Sequence, residues 1–239
     1  MTLSRRSWWP DLLLAAAVAV ITWVVAAGAL LGLDRAVGRW ADSHRPPALE
    51  LAALAGNYLG QGGVLTILCA VLALVLAWRR HTVRPLLPVA TAFVLTVVAL
   101  QPFKTLTDRP APHATFAHPE RFGVGGVSYP SGHLVNALVW YGVLALLLAP
   151  WLAPVARRFV RVTPPVVLTV TTIYLGFHWV TDTAAGLLLG LLLDRLMHRI
   201  PWDRMPLGRP LHRAGWDSPG LPRYGEASAQ EPARMTRTT

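Results

Sequence analysis

The sequence predicts an all-α fold, an integral membrane bundle of six transmembrane helices, from its hydrophobicity and its long uncharged runs. Of the 239 residues, 54% are hydrophobic and only 14% are charged, whereas soluble domains carry about a quarter charged residues. A helix needs about 20 apolar residues to cross the hydrocarbon core of a bilayer, so each long uncharged run predicts one span. Four such runs cover residues 12–33, 62–78, 85–103 and 134–156.

The stretch 162–193 predicts two further spans. Its only residues that are charged or titrate near neutral pH are His178 and Asp182. As a single helix it would be about 48 Å long, well beyond the roughly 30 Å of hydrocarbon in a bilayer. We therefore divide it at the polar segment 176–182 and extend the last span to residue 200, which gives six spans.

The remaining segments complete the domain organisation. The first run is too long for the apolar core of a signal peptide, so we expect a retained anchor. The connection 34–63 is consistent with a short amphipathic helix on the outer surface or with a plain loop. We assign residues 1–200 to the six-span domain, and residues 201–239, rich in Pro, Gly, Arg and Ser, to a disordered Arg/Pro-rich cytoplasmic tail.

The basic residues predict the orientation of the bundle. With six spans and both termini on one side, that side holds 16 of the 22 Lys and Arg residues. The positive-inside rule then makes both termini cytoplasmic and the loops between residues 104 and 130 extracytoplasmic, in a multi-pass protein of the plasma membrane. Because the arginines flank spans, we expect the bilayer and not nucleic acid as partner. The oligomeric state is left open.

One sequence motif is typical of phosphate binding. Pro130 and Gly132 bracket a turn directly before an apolar helix, and the first turn of a helix offers unpaired N–H groups to an anion. Ser131 adds a hydroxyl, and Gly132 permits close approach of the backbone. His133 then lies in the first helical turn. Taken alone, this motif is also consistent with a chance turn that caps a helix.

A second motif is typical of nucleophilic or acid–base chemistry. His178 and Asp182 are four residues apart, on one face if the region is helical. A carboxylate that binds Nδ1–H leaves Nε2 of the histidine free to react. An interfacial polar pair that ends a span is the alternative. Gly186 and Gly190 extend the same face and favour close helix packing.

A third motif closes the third span. Lys104 and Arg109 lie five residues apart just outside the predicted membrane region, where two cations could hold a phosphate. Anchoring of the span by snorkelling side chains is the alternative.

Together these motifs resemble the type 2 phosphatidic acid phosphatase and vanadium haloperoxidase superfamily, in its integral membrane lipid phosphate phosphatase branch. Its pattern is a Lys-led motif ending in Arg-Pro, then Pro-Ser-Gly-His, then Ser-Arg with a downstream His-x-x-x-Asp. The resemblance implies catalytic roles for His133, His178 and Asp182. It further implies a phosphate-binding set and neither a metal nor a cofactor. That phosphate-binding set is Lys104, Arg109, Ser131 and Gly132.

The sequence departs from this pattern at two places. The family has six residues between its lysine and its Arg-Pro, which puts Ala111 at the arginine position. Arg109, two residues earlier, is the candidate substitute. The Ser-Arg pair of the third motif falls on Thr171 and Thr172, and threonine cannot replace the bidentate grip of arginine on phosphate.

The activity implied by the resemblance is a metal-independent phosphatase. It would remove phosphate from a lipid phosphate or prenyl pyrophosphate at the outer membrane face, through a phosphohistidine on His178, with His133 as acid and then base. Two alternatives stay open: a lipid phosphotransferase that uses the same histidine, and a non-catalytic lipid-binding relative with an impaired phosphate site.

Overall fold

The computed structural model describes residues 7–205, and within that range the fold is all-α without strands. Two short 3-10 turns, Tyr58–Gly60 and Trp202–Arg204, accompany the helices. The α-helices of the described residues are α1 (Trp9–Ala26), α2 (Leu31–Ser43), α3 (Pro47–Asn57), α4 (Gly62–Arg80), α5 (Leu86–Thr107), α6 (Gly132–Leu147), α7 (Pro154–Tyr174) and α8 (Val180–Met197).

Three of these helices are long and apolar enough to cross a membrane, namely α1, α4 and α5. Helix α6 is apolar as well but has 16 residues. Helix α7 carries arginines in its first turns, and α8 carries charged side chains near both ends. These features are those of a multi-pass membrane protein, while the number of six spans remains a prediction.

The stretch 162–193 divides as expected, because α7 ends at Tyr174 and α8 begins at Val180. Gly176, with φ of +67°, lies in the left-handed region that follows many helices and that glycine adopts without strain. The predicted run 134–156 does not form one helix. Helix α6 ends at Leu147, and α7 already begins at Pro154, since proline at the first helical position loses no hydrogen bond.

The region between the first two long helices is more ordered than the sequence indicated. Helix α1 ends at Ala26, earlier than the predicted boundary at residue 33, and Gly28 turns the chain with φ of +80°. Residues 34–63 then hold most of α2 and all of α3, in place of one short helix or a loop. Both helices pack against α7, so they cover one end of the bundle.

The core of the bundle is α6, which packs against α4, α5, α7 and α8. A helix that is apolar on all sides is buried on all sides, and Leu134, Val135 and Val139 of α6 are completely or almost completely buried. Gly186 of α8 permits close approach to the backbone before α6, because a Cβ there would lie 2.6 Å from the carbonyl oxygen of Ser131. The small residues of α8 therefore bring its first turns against the start of α6.

The opposite end of the bundle holds a second group of arginine contacts. Asp11 of α1 is buried and accepts hydrogen bonds from Arg195 and Arg199. Arg84 donates to the carbonyl oxygens of Asp203 and Met205 over 2.6 and 3.1 Å. The first residues of the predicted tail thus pack on the bundle, and residues 206–239 lie outside the described range, where disorder remains a prediction.

Candidate active site

The start of α6 holds His133 in the first helical turn. Ser131 precedes the helix, and its backbone N–H donates to the carbonyl oxygen of Asp182 over 2.9 Å. Gly132 and His133 are the first two helical residues, and both line a cavity. The Ser131 hydroxyl is buried and has no hydrogen-bond partner within residues 7–205. The predicted helix N-terminus is therefore present, and its first two residues, but not Ser131, line the cavity.

Tyr129 ties this turn to α1. Its side chain is completely buried, and its hydroxyl lies 2.8 Å from Oγ1 of Thr22. Burial raises the pKa of Tyr129 to about 12, so the phenol stays neutral at physiological pH. The turn is thus held by a neutral hydrogen bond on one side and by α8 on the other.

His178 and Asp182 are adjacent in space, although not through a shared helical face. His178 lies in the connection before α8, whereas Asp182 is the third residue of that helix. Oδ2 of Asp182 accepts from the backbone N–H of Trp179 over 3.1 Å, which closes the N-terminus of the helix. This cap brings Oδ2 of Asp182 to 3.7 Å from Nδ1 of His178.

Ser128 fills the gap between these two side chains. Its hydroxyl donates to Oδ2 of Asp182 over 2.6 Å and lies 3.1 Å from Nδ1 of His178. Because the hydroxyl proton points to the carboxylate, Nδ1 of His178 must carry the proton of the second contact. Nε2 of His178 is then unprotonated and free to act as a nucleophile. Nothing in the sequence distinguishes Ser128 from other loop serines.

The rings of His133 and His178 meet in a T-shaped arrangement, with their centroids 5.4 Å apart. Nδ1 of His133 lies 3.3 Å from Nε2 of His178, so a proton on the former points to the lone pair of the latter. The Nδ2 amide of Asn57 lies 3.4 Å from Nε2 of His133, which favours the same tautomer. Asn57 comes from α3, 76 residues away, and no motif in the sequence marks it.

A cavity of about 520 Å³ opens beside the histidines. Lys104, near the end of α5, lines it and donates to the carbonyl oxygen of Val127 over 2.5 Å. Its Nζ lies 3.9 Å from the position that a Cβ would take on Gly132, so this cation is next to the N-terminus of α6. Further lining residues are Gln61, Ser128, His133, Asn136, Phe177 and His178.

Arg109 lies outside the residues that line this cavity. Its side chain is completely buried, and its Nε donates to the carbonyl oxygen of Glu120 over 2.9 Å. One terminal nitrogen donates to Thr181 and to Oδ1 of Asp182, over 2.7 and 2.5 Å. The other donates to Oδ2 of Asp34 over 2.6 Å. Arg109 therefore binds Asp182 without lining the cavity. Its position does not support the expected direct contact with phosphate.

The model of the PAP2 superfamily matches residues 82–206, more than half of the chain. The chain belongs to the PAP2 superfamily. The matched range contains the start of α6, the connection before α8 and the end of α5, from which the cavity is built.

Individual PAP2 proteins are similar over most of the chain. Phosphatidylglycerophosphatase B of Bacillus subtilis (strain 168) is 28% identical over 180 residues, 73% of this chain and 86% of the relative. The crystal structure of a transmembrane PAP2-type phosphatidylglycerolphosphate phosphatase from Bacillus subtilis has a TM-score of 0.67 and 25% identity, and covers 80% of this chain and 94% of that chain.

A second solved structure shares the fold. The crystal structure of Aquifex aeolicus LpxE has a TM-score of 0.51 and 23% identity, and the match covers 70% of this chain and 96% of that chain.

The departures from the PAP2 motifs have a structural counterpart. Ala111, at the expected arginine position of the first motif, lines the cavity, whereas Arg109 does not. Thr172, at the arginine position of the third motif, is buried, and its carbonyl oxygen accepts the N–H groups of Phe177 and His178. Within residues 7–205, no group of three or more His, Cys, Asp or Glu side chains is placed to hold a metal ion.

Proposed function

We propose that this PAP2 protein is a lipid phosphatase that works through a phosphohistidine on His178. The observation that carries the proposal is the 3.3 Å approach of Nδ1 of His133 to Nε2 of His178 beside a cavity that contains Lys104. A nucleophile, an acid and a cation meet there, as phosphoryl transfer requires. Because the Bacillus subtilis relatives are phosphatidylglycerophosphate phosphatases, that lipid is the first substrate to test.

In the first step, Nε2 of His178 attacks phosphorus while the bond from phosphorus to the lipid oxygen breaks. With the phosphate anion bound, His133 carries a proton on both ring nitrogens, because the anion stabilises the imidazolium. Its Nδ1 proton passes to the leaving oxygen and leaves a neutral ring, since a phosphoryl group that enters between the rings is reached by both histidines. Positive charge develops on the His178 ring. Ser128 and Asp182, on the far side of the ring, stabilise that charge through Nδ1.

In the second step, water attacks the phosphorus of the phosphohistidine and the phosphorus–nitrogen bond breaks. His133, now unprotonated at Nδ1, accepts the proton of this water. Phosphate leaves, His133 is again protonated on both ring nitrogens, and His178 is again neutral. No step of this mechanism requires a metal ion.

The oxygens of the phosphoryl group need positive partners in this mechanism. Lys104 supplies the cation, and the N–H groups of Gly132 and His133, which precede the first intrahelical bond of α6, supply donors. The Ser131 N–H is already engaged by the carbonyl oxygen of Asp182. In this proposal Ser131 therefore shapes the turn, and Arg109 positions Asp182 without touching phosphate.

The site belongs to the outer face of the plasma membrane in this proposal. It is formed by the C-terminal end of α5 and the N-terminal ends of α6 and α8. The arginine-rich ends of α4, α7 and α8 lie at the other end of the bundle, and arginine-rich ends face the cytoplasm. Both termini are then cytoplasmic, and the lipid tail lies in the outer leaflet.

The test is phosphate release by the purified protein in detergent. Phosphatidylglycerophosphate, phosphatidic acid and a prenyl pyrophosphate are compared with and without EDTA, and with an added alcohol to detect phosphoryl transfer. We expect release from at least one lipid, unchanged by EDTA and abolished by His178→Asn. Activity lost in EDTA and restored by Mg²⁺, or equal activity in His178→Asn, would contradict the proposal.

A further inference from the structure

Asp34 of α2 is buried behind the candidate site, with 1% of its surface exposed. Its Oδ1 accepts from the backbone N–H of Thr181 over 3.1 Å. Its Oδ2 accepts from the Thr181 hydroxyl and from a terminal nitrogen of Arg109, each over 2.6 Å. Both oxygens of the Asp34 carboxylate therefore accept hydrogen bonds. The donors are Thr181, which precedes Asp182 in the chain, and Arg109, which binds Asp182.

The contact with Thr181 fixes the start of α8. Thr181 is the second residue of this helix, where the backbone N–H has no partner within the helix. Asp34 accepts a hydrogen bond from that N–H although it lies 147 residues away in sequence. It thereby does what a capping residue next to the helix usually does. The rotation of the first turn, and with it the direction of the Asp182 side chain, is thereby held from outside the helix.

The contact with Arg109 sets the charge of the site. Arg109 lies between the carboxylates of Asp34 and Asp182, and all three side chains are completely buried. If Arg109 faced Asp182 alone, the pair would be neutral as seen from His178. With Asp34 included, the three groups carry a net charge of −1. In a poorly solvated interior this difference acts strongly on a charge that develops a few ångströms away.

We propose that Asp34 is a positioning residue for the nucleophile His178, acting through Arg109, Thr181 and Asp182. This inference rests on the proposed phosphohistidine mechanism. Asp34 neutralises Arg109 and holds the first turn of α8, so that Asp182 keeps its negative charge directed at Nδ1 of His178. The effect is needed in the transition state, when the ring becomes positive, and less in the bound ground state.

A second buried carboxylate offers a matched control. Asp11 of α1 is 4% exposed and accepts hydrogen bonds from Arg195 and Arg199 at the opposite end of the bundle. Asp11→Asn and Asp34→Asn therefore remove the same charge from the same kind of buried ion pair. Only the Asp34 pair is connected to a histidine of the candidate site.

The experiment compares kcat, KM, inhibition by vanadate and melting temperature in Asp34→Asn, Asp11→Asn and the wild-type protein. Vanadate mimics the five-coordinate phosphorus bound to a histidine, so its inhibition constant reports transition-state binding. For Asp34→Asn we expect kcat to fall about 10- to 100-fold and vanadate to bind more weakly by a similar factor. KM should change less than about threefold, and Asp11→Asn should lower only the melting temperature.

Two further variants keep the test decisive. Arg109→Met leaves two buried carboxylates without their cation, whereas Asp34→Asn with Arg109→Met returns the net charge to −1. The double variant should therefore have a higher kcat than Arg109→Met alone. If Asp34→Asn does not fold, Thr181→Val, which removes the hydroxyl donor to Asp34, should still lower kcat with little change in KM.

The outcomes separate this inference from the proposed function. An active wild-type enzyme whose kcat and vanadate inhibition are as little changed by Asp34→Asn as by Asp11→Asn would overturn the role of Asp34 and leave the phosphatase intact. An unchanged kcat in Thr181→Val would do the same. A folded wild-type protein that releases no phosphate from any lipid would overturn the proposed function and this inference with it.

Discussion

The hydroxyl oxygen of Ser128 lies 2.6 Å from Oδ2 of Asp182. The same oxygen lies 3.1 Å from Nδ1 of His178, while the direct distance from that nitrogen to the carboxylate is 3.7 Å. Each contact of the serine is thus shorter than the direct contact between the carboxylate and the imidazole. In the proposed mechanism the Ser128 hydroxyl links the Asp182 carboxylate to the Nδ1 proton of His178 and so helps to stabilise positive charge on that ring.

Removal of this hydroxyl should therefore slow the reaction. We predict that Ser128→Ala lowers kcat about 10-fold, because a buried hydrogen bond to a charged group contributes about 1.5–3 kcal/mol and part of it is replaced by direct contact of Asp182 with His178. Steady-state kinetics in detergent measure the effect. Ser43→Ala removes a serine hydroxyl from an exposed position and serves as control. A kcat equal to that of this control would contradict the role of Ser128.

Lys104 should be the principal cation for the phosphoryl group. Lys104→Ala should lower kcat/KM about 30- to 1,000-fold, the range for loss of a charge-assisted contact to a reacting group. Phosphate release gives the ratio, and the melting temperature should stay near that of the wild-type protein. Arg121→Ala, which removes an exposed cation from the same loop region, should have little effect.

Adding an arginine at position 111, where the family pattern has one, tests whether a second cation can serve the same phosphate. Ala111 lines the cavity, so Ala111→Arg in the Lys104→Ala background should recover part of the lost kcat/KM. Full activity of Lys104→Ala, or no recovery by Ala111→Arg despite normal folding, would count against this arrangement of cations.

Much of the fold followed from hydrophobicity and from the residues that interrupt it. The break between α7 and α8 was predictable, because a 32-residue helix exceeds the bilayer and because Gly176 and the polar residues after it mark a stop. The boundary after α6 was missed because residues 148–153 carry no charge, although Pro150 and Pro154 are residues that commonly end or begin a helix. The bounds of α2 were missed for a related reason: its first residues, such as Leu31 and Leu33, continue an apolar run.

The candidate site was only partly predictable. His133 and His178 stand in recognisable motifs, and the structure brings their rings together. Asn57 and Asp34 come from helices that no motif marks, and their partners lie 76 and 147 residues away. Arg109 was predicted to hold phosphate, whereas its side chain binds Asp34 and Asp182. One sequence cannot distinguish an arginine that faces a cavity from one that faces a buried carboxylate.

Orientation in the membrane can be tested with single cysteines. In a Cys69→Ala background, Ala117→Cys places an exposed thiol in the loop between α5 and α6, and Ala153→Cys places one in the connection between α6 and α7. The positive-inside rule predicts that a membrane-impermeant thiol reagent labels Ala117→Cys in intact cells and Ala153→Cys only after lysis. The reverse pattern would invert the proposed topology.

The packing of α8 on the start of α6 depends on Gly186. A Cβ on this residue would lie 2.6 Å from the carbonyl oxygen of Ser131, a backbone atom that cannot move freely. We predict that Gly186→Ala destabilises the protein by about 1–3 kcal/mol and lowers activity, because overpacking shifts the turn that carries His133. Thermal unfolding measures the change. Gly63→Ala, where a Cβ meets no atom within 4 Å, should be nearly neutral, and equal melting temperatures of the two variants would contradict the prediction.

Trapping of the phosphorylated enzyme tests the proposed mechanism most directly. Protein mixed with a ³²P-labelled lipid phosphate is quenched in alkali within a single turnover, digested and mapped. Phosphohistidine survives alkali and is lost in acid, so the label should be acid-labile and should reside on His178. It should be absent from His178→Asn and should accumulate in a His133 variant that retains attack but activates water poorly. Label on another residue, or turnover in His178→Asn, would contradict the mechanism.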